Sequence, residues 1–516
     1  MNLGKVYLVG AGPGDPGLIT VRGLEVLSRA EVVLYDALAH PALLDACPNA
    51  EKRNVGKRYG QDSAVQAAIN AELVALARAG KFVVRLKGGD PMLFARGAEE
   101  LLALREAGVE FEIVPGVSSP FAASAFAGIP LTHRELSSSV TFITGSDRDG
   151  KDWSPESWQK LATATDTICV FMGMRRIEAI VQAIIDGGRR ADTQVAVVQW
   201  AARPEQRVVS GTLSTIAGIV RAQGISNPAL IIVGEVVGLR DDLRWFDNRP
   251  LFGKTLLVPR PAEQGKATAA AILARGANAR LLPAIAIREP ADRAPLDNAI
   301  AELRSFDWVL FTSANGVTRF TQALTHAGLD ARAFGTAKLG AIGPKTARAL
   351  ESFGLRADAV ADEFIGEGLA RAVLAHGVPG RVLLARALVA RDALPDLLRE
   401  AGARVEVVPV YETVTSDAGE ALRAHFERGE IDVALFTSSS TVNAVVDLLG
   451  ANANALLSKV TVASIGRQHR AHHVADVDRA RHSHRRRCND VHRRWLARRA
   501  RSALRALSRA LARRAR

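Results

Sequence analysis

The first glycine-rich segment of the chain has the composition of a ligand-binding turn. An apolar run at residues 6–9 leads directly into Gly-Ala-Gly-Pro-Gly-Asp-Pro-Gly at residues 10–17. Glycines let a backbone turn sharply and let a ligand approach it closely. The segment is not a dinucleotide-binding fingerprint, because Asp15 stands where that motif needs a glycine, and no Gly-Lys-Ser/Thr follows as in a nucleotide phosphate loop. By itself this turn is as consistent with a structural role as with a ligand.

Further turns of the same character follow in the first half of the chain. They lie at residues 86–91, 114–119, 128–134, 170–174 and 227–230, and each contains glycine, proline or both. Ligands of α/β proteins bind beyond the carboxyl ends of strands, which is where most of these turns must lie. The set therefore predicts a ligand site at such an edge.

Short β-rich runs that alternate with helical patterns would position these turns. The runs lie at residues 6–9, 32–35, 82–86, 111–114, 140–144, 167–172, 194–199 and 230–233. Between them, residues 64–79 and 176–186 place apolar side chains three and four positions apart, as in amphipathic helices. This alternation predicts parallel α/β sheets over residues 1–246. The polar stretch 240–250 interrupts the pattern and is the predicted linker.

A second α/β region begins at Gly253 and contains an internal repeat. Residues 311–317, Phe-Thr-Ser-Ala-Asn-Gly-Val, recur as Phe-Thr-Ser-Ser-Ser-Thr-Val at 436–442. Ala-Ile-Gly follows the first copy at 341–343, and Ser-Ile-Gly follows the second at 464–466. Such a duplication predicts two similar α/β lobes.

The positive charge of the protein is confined to its last residues. The 516 residues carry a formal net charge of +13, but residues 467–516 hold 17 arginines and 3 aspartates, which is +14, so the first 466 residues carry −1. A neutral body gives no electrostatic indication of nucleic-acid binding. The Arg/Ala/His composition of the tail is typical of GC-rich DNA read out of frame, and we expect an aberrant terminus. The alternatives are a disordered tail and a basic amphipathic helix, in which Leu496, Leu504, Leu507 and Leu511 fall near helical spacing.

The remaining composition points to no membrane, metal or disulfide. The chain has no apolar run of the roughly 18 residues that a membrane span needs, and residues 1–10 resemble a first strand and not a signal peptide. Cys47, Cys169 and Cys488 are far apart and have no metal-ligand spacing. We therefore expect a cytoplasmic protein without a metal site, a structural disulfide, or a membrane or nucleic-acid partner.

The ordered turns of residues 3–240 closely resemble those of the uroporphyrinogen-III C-methyltransferases, members of the two-lobed tetrapyrrole methylase class. The resemblance implies S-adenosyl-L-methionine held in a cleft between two lobes, and a homodimer. By position in the family motif the cofactor-binding residues are Pro13, Gly88, Gly89, Asp90, Leu93, Ser118, Ser119, Met172, Ala201 and Ala229. Most of these offer backbone or apolar contacts, which suits a cofactor without phosphates. A place in the core is the alternative for Met172.

The same resemblance assigns residues to methyl transfer onto a pyrrole carbon of uroporphyrinogen III. Asp36 matches the proposed proton acceptor and Lys57 the proposed proton donor. A helix N-cap is the alternative for Asp36, and a contact with a substrate carboxylate is the alternative for Lys57. The positions matched to the substrate are Leu38 and Phe94, against the macrocycle, and Arg96, Thr132 and Arg134, on its polar groups.

Residues 253–466 more loosely resemble uroporphyrinogen-III synthase, a family with two flavodoxin-like α/β lobes. The carrying motifs are residues 311–317, 341–347, 363–369, 408–413 and 436–442. The resemblance implies one lobe from residues 253–287 with 415–466, and a second from 288–410. It makes Tyr411 the candidate proton donor for closing hydroxymethylbilane into uroporphyrinogen III, and it places Ser313, Thr346 and Ser438 on the acetate and propionate groups. Helix capping is at least as good an interpretation of each Thr-Ser pair.

The end of the second region departs from its family. Pro-Lys-Thr-Ala and an amphipathic helix follow Gly343, whereas the arginine tail follows Gly466 at once. A helix and a strand are therefore missing from the expected pattern, and we expect a methyltransferase joined to a synthase of doubtful integrity. The alternatives are a second region that only delivers substrate and, more remotely, an RNA or protein methyltransferase of the same class.

Overall fold

The computed structural model describes residues 4–56, 62–145 and 155–464, which form two compact units. One unit consists of the residues up to Lys254 together with Ala271–Asn278, and the other consists of the remaining described residues. We call the residues before Thr255 the N-terminal domain and residues 255–464 the C-terminal domain. The predicted proton donor Lys57 and the arginine-rich tail lie outside the described residues.

The first lobe of the N-terminal domain is a parallel sheet with helices packed on both faces. Its strands are β1 (Lys5–Gly10), β2 (Val32–Tyr35), β3 (Glu51–Asn54), β4 (Val83–Lys87) and β5 (Glu110–Val114), and its helices are α1 (Val21–Ser28), α2 (Asp62–Arg78), α3 (Gly97–Glu106) and α4 (Ser119–Ala127). The strand order is β3-β2-β4-β1-β5, and all neighbours are parallel. The carboxyl ends of all five strands therefore lie at one edge of the sheet.

Strand β1 shows why the strands of this lobe are apolar throughout. Tyr7 and Val9 pack into a cluster with side chains of α1, whereas Val6 and Leu8 pack into a cluster with side chains of α2 and α3. Each of these four side chains is at most 7% exposed. Alternate residues of a strand point to opposite faces, so a strand covered by helices on both faces needs apolar side chains at every position.

The second lobe of the N-terminal domain is a mixed sheet and not the parallel one predicted. Its strands are β6 (Val140–Thr144), β7 (Thr167–Phe171), β8 (Gln194–Gln199), β9 (Arg207–Thr212) and β10 (Ala229–Val233), and its helices are α5 (Pro155–Ala164), α6 (Ile177–Asp186), α7 (Ile216–Ala222) and α8 (Arg240–Leu243). In the order β6-β7-β10-β8-β9, strand β10 is antiparallel to β7 and β8, and β9 is antiparallel to β8. Residues 200–206 join β8 to β9 without a crossover helix, and this short connection permits the antiparallel direction.

Two strands of the N-terminal domain have no counterpart among the predicted runs. Both β3 and β9 lie at a sheet edge. Strand β3 reads Glu-Lys-Arg-Asn with no buried residue, and in β9 only Val209 is buried. An edge strand with polar side chains lacks the apolar run by which a buried strand is predicted.

The predicted linker at residues 240–250 is instead packed against the N-terminal domain. The ring of Phe246 is 3% exposed and lies edge-on to that of Phe126 in α4, with 4.8 Å between centroids. The indole N–H of Trp245 donates to the carbonyl of Ala125 at 2.7 Å. The prediction of a linker was wrong because it rested on the charged residues of this stretch, whereas the two aromatic residues among them pack against the domain.

The C-terminal domain contains two sheets. The smaller sheet has the order β12-β11-β19-β20, and the larger has the order β13-β18-β17-β14-β15-β16. The strands are β11 (Thr255–Val258), β12 (Asn278–Leu281), β13 (Ile285–Arg288), β14 (Trp308–Phe311), β15 (Lys338–Ala341), β16 (Ala359–Val360), β17 (Arg381–Ala387), β18 (Arg404–Thr415), β19 (Val433–Phe436) and β20 (Thr461–Ser464). The helices are α9 (Ala262–Leu273), α10 (Ala294–Ala301), α11 (Ala314–His326), α12 (Pro344–Glu351), α13 (Gly366–Leu374), α14 (Ala393–Glu400), α15 (Gly419–Glu427), α16 (Ser439–Leu449) and α17 (Ala453–Leu457).

The two sheets correspond to two lobes related by the internal repeat. One copy is β14 followed by α11, in the larger sheet, and the other is β19 followed by α16, in the smaller sheet. The chain crosses from one lobe to the other twice, and the two crossing segments lie side by side. The amide of Ser416, in one segment, donates to the carbonyl of Ala284, in the other, at 3.0 Å. Strand β13 and all of β18 belong to the middle lobe, so the crossings lie a few residues from the expected 287/288 and 410/415.

Candidate active sites

Glycine turns from three strands meet at the carboxyl edge of the first sheet. The amide of Gly89, after β4, donates to the carbonyl of Gly12, after β1, at 2.8 Å. A Cβ atom on Gly10 would lie 2.5 Å from Cα of Gly116, which follows β5. The contact between Gly10 and Gly116 leaves no room for a side chain, so glycine at these positions lets the turns of neighbouring strands meet.

The carboxylate of Asp90 organises two of these turns. One oxygen accepts from the amide of Met92 at 2.8 Å, and the other accepts from the amide of Gly116 at 3.0 Å. Ser118 is 5% exposed at the start of α4, with the partly buried Ser119 next to it. The predicted cofactor residues of this sheet therefore lie on joined turns, and the side chain of Asp90 is occupied by backbone amides.

Residues of the second sheet contribute to a corresponding edge. Met172 follows β7, Ala201 lies just after β8, and Ala229 begins β10. Because β10 is antiparallel to both neighbours, its first residue lies at the edge where β7 and β8 end. The amide of Trp200 donates to the carbonyl of Pro228 at 3.2 Å across this edge.

Strained backbone is concentrated in these segments. Among the described residues, the non-glycine residues with positive φ are Phe94, Arg96, Met172, Trp200 and Ala202, with φ between 50° and 63°. Residues other than glycine rarely adopt this backbone conformation, and those that do so cluster at functional sites. The five positions fall in three loops that the family resemblance matches to cofactor or substrate, and no pattern in the sequence predicts them.

Several apolar side chains remain exposed in these loops. Met172 is 48% exposed, so the core-packing alternative for it is wrong. Phe94 is 40% exposed and its ring centroid lies 4.7 Å from that of Phe171, whereas Leu93 beside it is partly buried. Leu38 is 47% exposed and packs against Gly88, where an added Cβ atom would lie 3.0 Å from Cβ of Leu38. Exposed apolar surface of this kind suits a flat ring ligand.

Arg203, which sequence reasoning missed, joins the turns of the two lobes. Its guanidinium donates to the carbonyl of Leu38 at 2.7 Å and stacks 4.7 Å from the ring of Trp200. A Cβ atom on Gly14, next to the predicted cofactor residue Pro13, would lie 2.7 Å from Cγ of Arg203 and 3.2 Å from the carbonyl of Ala201. Burial lowers the pKa of Arg203, and its Nε has no hydrogen-bond partner among the described residues.

Asp36 follows β2 and binds a buried arginine. Its carboxylate accepts from Nη2 of Arg85 at 2.6 Å, and the residues after it form a turn and not a helix. The helix N-cap alternative for Asp36 is therefore wrong. The next turn residues, up to Leu38, are the ones that contact Gly88 and Arg203, so Asp36 lies at the same edge as the predicted cofactor loops.

A buried ionic cluster lies behind Asp36. Glu100 of α3 accepts from Nε of Arg85 at 3.2 Å, from Nζ of Lys87 at 2.8 Å and from Nε2 of Gln66 at 3.1 Å. These four side chains are at most 3% exposed. Burial, together with the charge of Arg85, lowers the pKa of Lys87. The sequence carries a signal for this cluster, since Arg85 and Lys87 are charged residues at alternate positions of an otherwise apolar strand.

The remaining predicted substrate residues of this domain lie on exposed turns. Arg96 precedes α3 and pairs with Glu99 at 2.8 Å between Nε and Oε1. Thr132 and Arg134 are exposed in the segment between α4 and β6. Arg96 is partly buried and the other two are exposed, and the contact of all three with a substrate stays a prediction.

Tyr411 and Ser313 meet at the carboxyl edge of the larger sheet in the C-terminal domain. The hydroxyl of Tyr411 lies 3.0 Å from that of Ser313, and Tyr411 is 7% exposed. Ser313 follows β14 and accepts from the amide of Gly316 at 3.0 Å, so it also caps α11. Exposed apolar side chains lie after β16 and β17 of this sheet, with Phe364 56% and Val389 89% exposed.

The other two predicted residues of this domain differ from Ser313. Ser438 occupies the equivalent position of the repeat in the smaller sheet, where its hydroxyl accepts from the amide of Thr441 at 3.4 Å and caps α16. Thr346 is 3% exposed in the first turn of α12. The capping interpretation therefore describes both serines. The hydroxyl of Ser438 also contacts those of Ser440 and Thr441, whereas that of Ser313 contacts Tyr411.

Comparison with known proteins matches the two domains separately and together. The family described as Tetrapyrrole (Corrin/Porphyrin) Methylases matches residues 5–217, and the family described as Uroporphyrinogen-III synthase HemD matches residues 266–474. The porphyrin biosynthesis protein HemD of Ruminiclostridium josui is 37% identical over 86% of this chain and 89% of its own length. The chain belongs to this porphyrin biosynthesis family, in which a tetrapyrrole methylase is followed by a uroporphyrinogen-III synthase.

Other relatives align with parts of the chain. The uroporphyrinogen-III C-methyltransferase of Bacillus subtilis is 38% identical over 70% of this chain and 74% of its own length. The siroheme synthase of Chromobacterium violaceum is 50% identical over 47% of this chain, which spans about half, 52%, of that protein. A crystal structure of uroporphyrin-III C-methyltransferase from Thermus thermophilus with S-adenosylhomocysteine is 40% identical, with a TM-score of 0.40, and the match covers 46% of this chain and all of that one.

Membership in this family confirms several predictions. The α/β fold class, the assignment as an enzyme and the order of methylase and synthase domains are as expected. Tetrapyrrole substrates fit both family matches, and the alternatives of an RNA or protein methyltransferase or a mere delivery module are not favoured. In the described part of the chain, no helix is long and apolar enough to cross a membrane.

Proposed function

We propose that the methylase domain transfers two methyl groups from S-adenosyl-L-methionine to uroporphyrinogen III, giving precorrin-2. The synthase domain closes hydroxymethylbilane to uroporphyrinogen III with inversion of the last ring, so its product is the substrate of the methylase domain. The observation that carries the proposal is the meeting of glycine turns from three strands of the first lobe, which Arg203 of the second lobe contacts, beside Asp36, whose carboxylate lies 2.6 Å from Arg85.

The loops of the methylase domain fit S-adenosyl-L-methionine. The glycine turns offer backbone groups at close approach, and Met172 and Leu93 offer apolar surface. A methyl donor without phosphates needs no cradle of cationic side chains, in agreement with Asp90, whose carboxylate binds two amides in the middle of the predicted cofactor loops. Pro13 and Ala201 belong to segments that Gly14 and Arg203 bring into contact.

The chain has two tasks in methyl transfer. When bound, S-adenosyl-L-methionine supplies a methyl group attached to a positively charged sulfur. An electron-rich pyrrole carbon can attack this methyl group, and the sulfur leaves as the neutral thioether. The exposed side chains of Leu38 and Phe94 align the macrocycle with that methyl group, which is an entropic contribution to the rate. The methylated ring is cationic until a proton leaves it, and Asp36 accepts this proton as a general base. Lys57 remains the predicted proton donor.

The synthase site needs mainly to fold its substrate and to assist the loss of water. The hydroxyl of Tyr411 donates a proton to the departing hydroxyl group, and the contact with Ser313 at 3.0 Å orients it. The substrate carbon that loses this hydroxyl becomes electrophilic and is attacked by the last pyrrole ring. Phe364 and Val389 supply apolar surface at the same edge.

The proposal includes the surroundings in which the protein acts. We expect a homodimer formed through the methylase domain that acts in the cytoplasm without a nucleic-acid or membrane partner. The formal charge of −1 over the first 466 residues supports the absence of nucleic acid. Analytical ultracentrifugation of the full chain, with and without RNA, tests the dimer and the absence of an RNA partner.

The test of the proposed function uses the full chain on each substrate separately. With S-adenosyl-L-methionine and uroporphyrinogen III we expect precorrin-2, and with hydroxymethylbilane we expect uroporphyrinogen III. Full turnover of hydroxymethylbilane would contradict the doubtful integrity of the synthase that the sequence after Gly466 predicts. Asp36→Asn should abolish the first reaction and leave the second unchanged. Failure of the unaltered chain to methylate uroporphyrinogen III would contradict the methylase proposal, and failure to cyclise hydroxymethylbilane would contradict the synthase proposal.

A further inference from the structure

The buried cluster behind Asp36 is made of three charged side chains and one amide from three elements. Strand β4 supplies Arg85 and Lys87, α3 supplies Glu100, and α2 supplies Gln66. One oxygen of Glu100 accepts three hydrogen bonds, of 2.8 to 3.2 Å, and the other is buried without a hydrogen-bond partner among the described residues. With Asp36, the cluster contains two cations and two carboxylates and is neutral overall.

Stability alone gives a weak reason for such a cluster. Buried ions lose their hydration, and apolar side chains of similar volume often give equal or greater stability. Glu100 is 0% exposed, so it contacts neither substrate nor solvent directly. Glu100 could therefore affect methyl transfer only through a residue that contacts it and also reaches the site.

Arg85 is that partner. Its Nε donates to Glu100 at 3.2 Å, its Nη2 donates to Asp36 at 2.6 Å, and its Nη1 lies 3.4 Å from two backbone carbonyls. All three nitrogens are therefore engaged, and the plane of the guanidinium is fixed. The side chain of Asp36 is 29% exposed, so part of it remains accessible while Arg85 holds it.

We propose that Glu100 is a positioning residue of methyl transfer: it fixes the guanidinium of Arg85, which holds the carboxylate of Asp36 in the orientation that accepts the proton. The inference rests on the proposed role of Asp36. Lys87 is the counter-charge of the cluster, because without it the attraction of Glu100 would draw Arg85 away from Asp36. Charged groups facing Lys87 are Arg85, Glu100 and Asp36, and burial with the charge of Arg85 lowers the pKa of Lys87.

Charge-balanced variants separate positioning from stability. Glu100→Gln leaves the cluster at +1, Lys87→Met leaves it at −1, and the double variant is neutral again. We expect each single variant to lower both the thermal midpoint and kcat, the latter by about tenfold, which is less than the roughly hundredfold loss on removal of a general base because Asp36 is misaligned and not removed. In the double variant the thermal midpoint should recover while kcat stays low, because a neutral amide holds Arg85 less firmly than a carboxylate does.

A split between kcat and binding gives a second readout that a purely structural role would not produce. Binding of S-adenosylhomocysteine, measured by calorimetry, should change less than twofold. Glu112→Gln, in β5 of the same sheet, removes a partly exposed carboxylate that pairs with Arg22 of α1, and it serves as the control in which kcat and binding should be unchanged.

Each outcome decides the inference. Recovery of kcat together with the thermal midpoint in the double variant would reduce the cluster to charge balance and overturn the positioning role. If Glu100→Gln does not fold, Gln66→Met removes one hydrogen bond to Glu100 without a change in charge, and it should lower kcat about twofold with binding intact. An active Asp36→Asn variant would contradict the proposed function itself, independently of Glu100.

Discussion

The backbones of Gly12 and Gly89 hydrogen-bond to each other across two neighbouring strands of the methylase domain, with 2.8 Å from the amide of Gly89 to the carbonyl of Gly12. Two residues earlier, Gly10 lies against Gly116 with no space for a side chain. The cofactor loops therefore depend on one another, and a change in one strand end should disturb the turns after the others.

Gly10→Ala tests this dependence. The new Cβ atom would lie 2.5 Å from Cα of Gly116 and 2.8 Å from the carbonyl of Gly89, so backbone must move. We expect a loss of about 2 kcal/mol or more in the stability of the methylase domain, as for other overpacked sites. Binding of S-adenosylhomocysteine should weaken at least tenfold, as calorimetry would measure.

Gly218→Ala is the matched control for this substitution. An added Cβ atom at Gly218, in helix α7, meets nothing within 4 Å, and alanine favours a helix, so stability should be unchanged or slightly increased by about 0.5 kcal/mol. Equal binding by the Gly10 and Gly218 variants would show that the turns do not depend on one another.

Arg203→Ala should weaken binding of the methyl donor without unfolding the domain. The substitution removes the hydrogen bond to the carbonyl of Leu38 and the stacking on Trp200, which together hold the turns of the two lobes. A single charged donor contributes about 1.5 kcal/mol or more, so we expect roughly a tenfold rise in the dissociation constant of S-adenosylhomocysteine. Arg190→Ala, at a site 82% exposed, should leave it unchanged. An unaltered dissociation constant in the Arg203 variant would contradict the bridging role.

The glycine turns and the fold class of both domains could be predicted from the sequence because their signals are local. Turn residues after apolar runs mark the loops at residues 10–17 and 86–91, and the Phe-Thr-Ser repeat marks two lobes. The direction of β10 could not be predicted, since alternation of strands and helices is the same for parallel and antiparallel neighbours. Strand β3 has no apolar residue and is defined only by its pairing with β2.

The parts of the sites that could not be predicted depend on long-range packing. Arg203 contacts Leu38 across 165 positions of the chain, and Glu100 reaches Gln66 from another helix. Nothing near Glu100 in the sequence distinguishes it from its neighbour Glu99, yet the first is fully buried and the second pairs with Arg96 on the surface. Only the helix register on the sheet decides which of the two faces inward.

Cys169 should be inert to thiol reagents in the folded protein. Burial raises the pKa of its thiol to about 12, so almost no thiolate exists at pH 8. Treatment of the native chain with iodoacetamide at pH 8, followed by mass mapping, should find no adduct at Cys169, whereas the denatured chain should be modified there. Burial also raises the pKa of Cys47, for which we expect slow modification. Rapid labelling of Cys169 in the native chain would show that strand β7 opens.

Tyr411→Phe should impair ring closure selectively. The substitution removes the hydroxyl 3.0 Å from Ser313 but keeps the buried ring, so the domain should stay folded. Loss of a general acid typically costs about a hundredfold in rate, and we expect kcat on hydroxymethylbilane to fall by that order while methylation of added uroporphyrinogen III by the same chain is unchanged.

Ser313→Ala keeps Tyr411 but loses its orientation and the cap of α11, so kcat should fall about tenfold or less, with a loss of about 1 kcal/mol in stability. Ser438→Ala removes the equivalent cap in the other lobe and should cost similar stability without the same loss of kcat. If Ser313→Ala and Ser438→Ala reduced kcat equally, the contact between Ser313 and Tyr411 would have no role beyond helix capping.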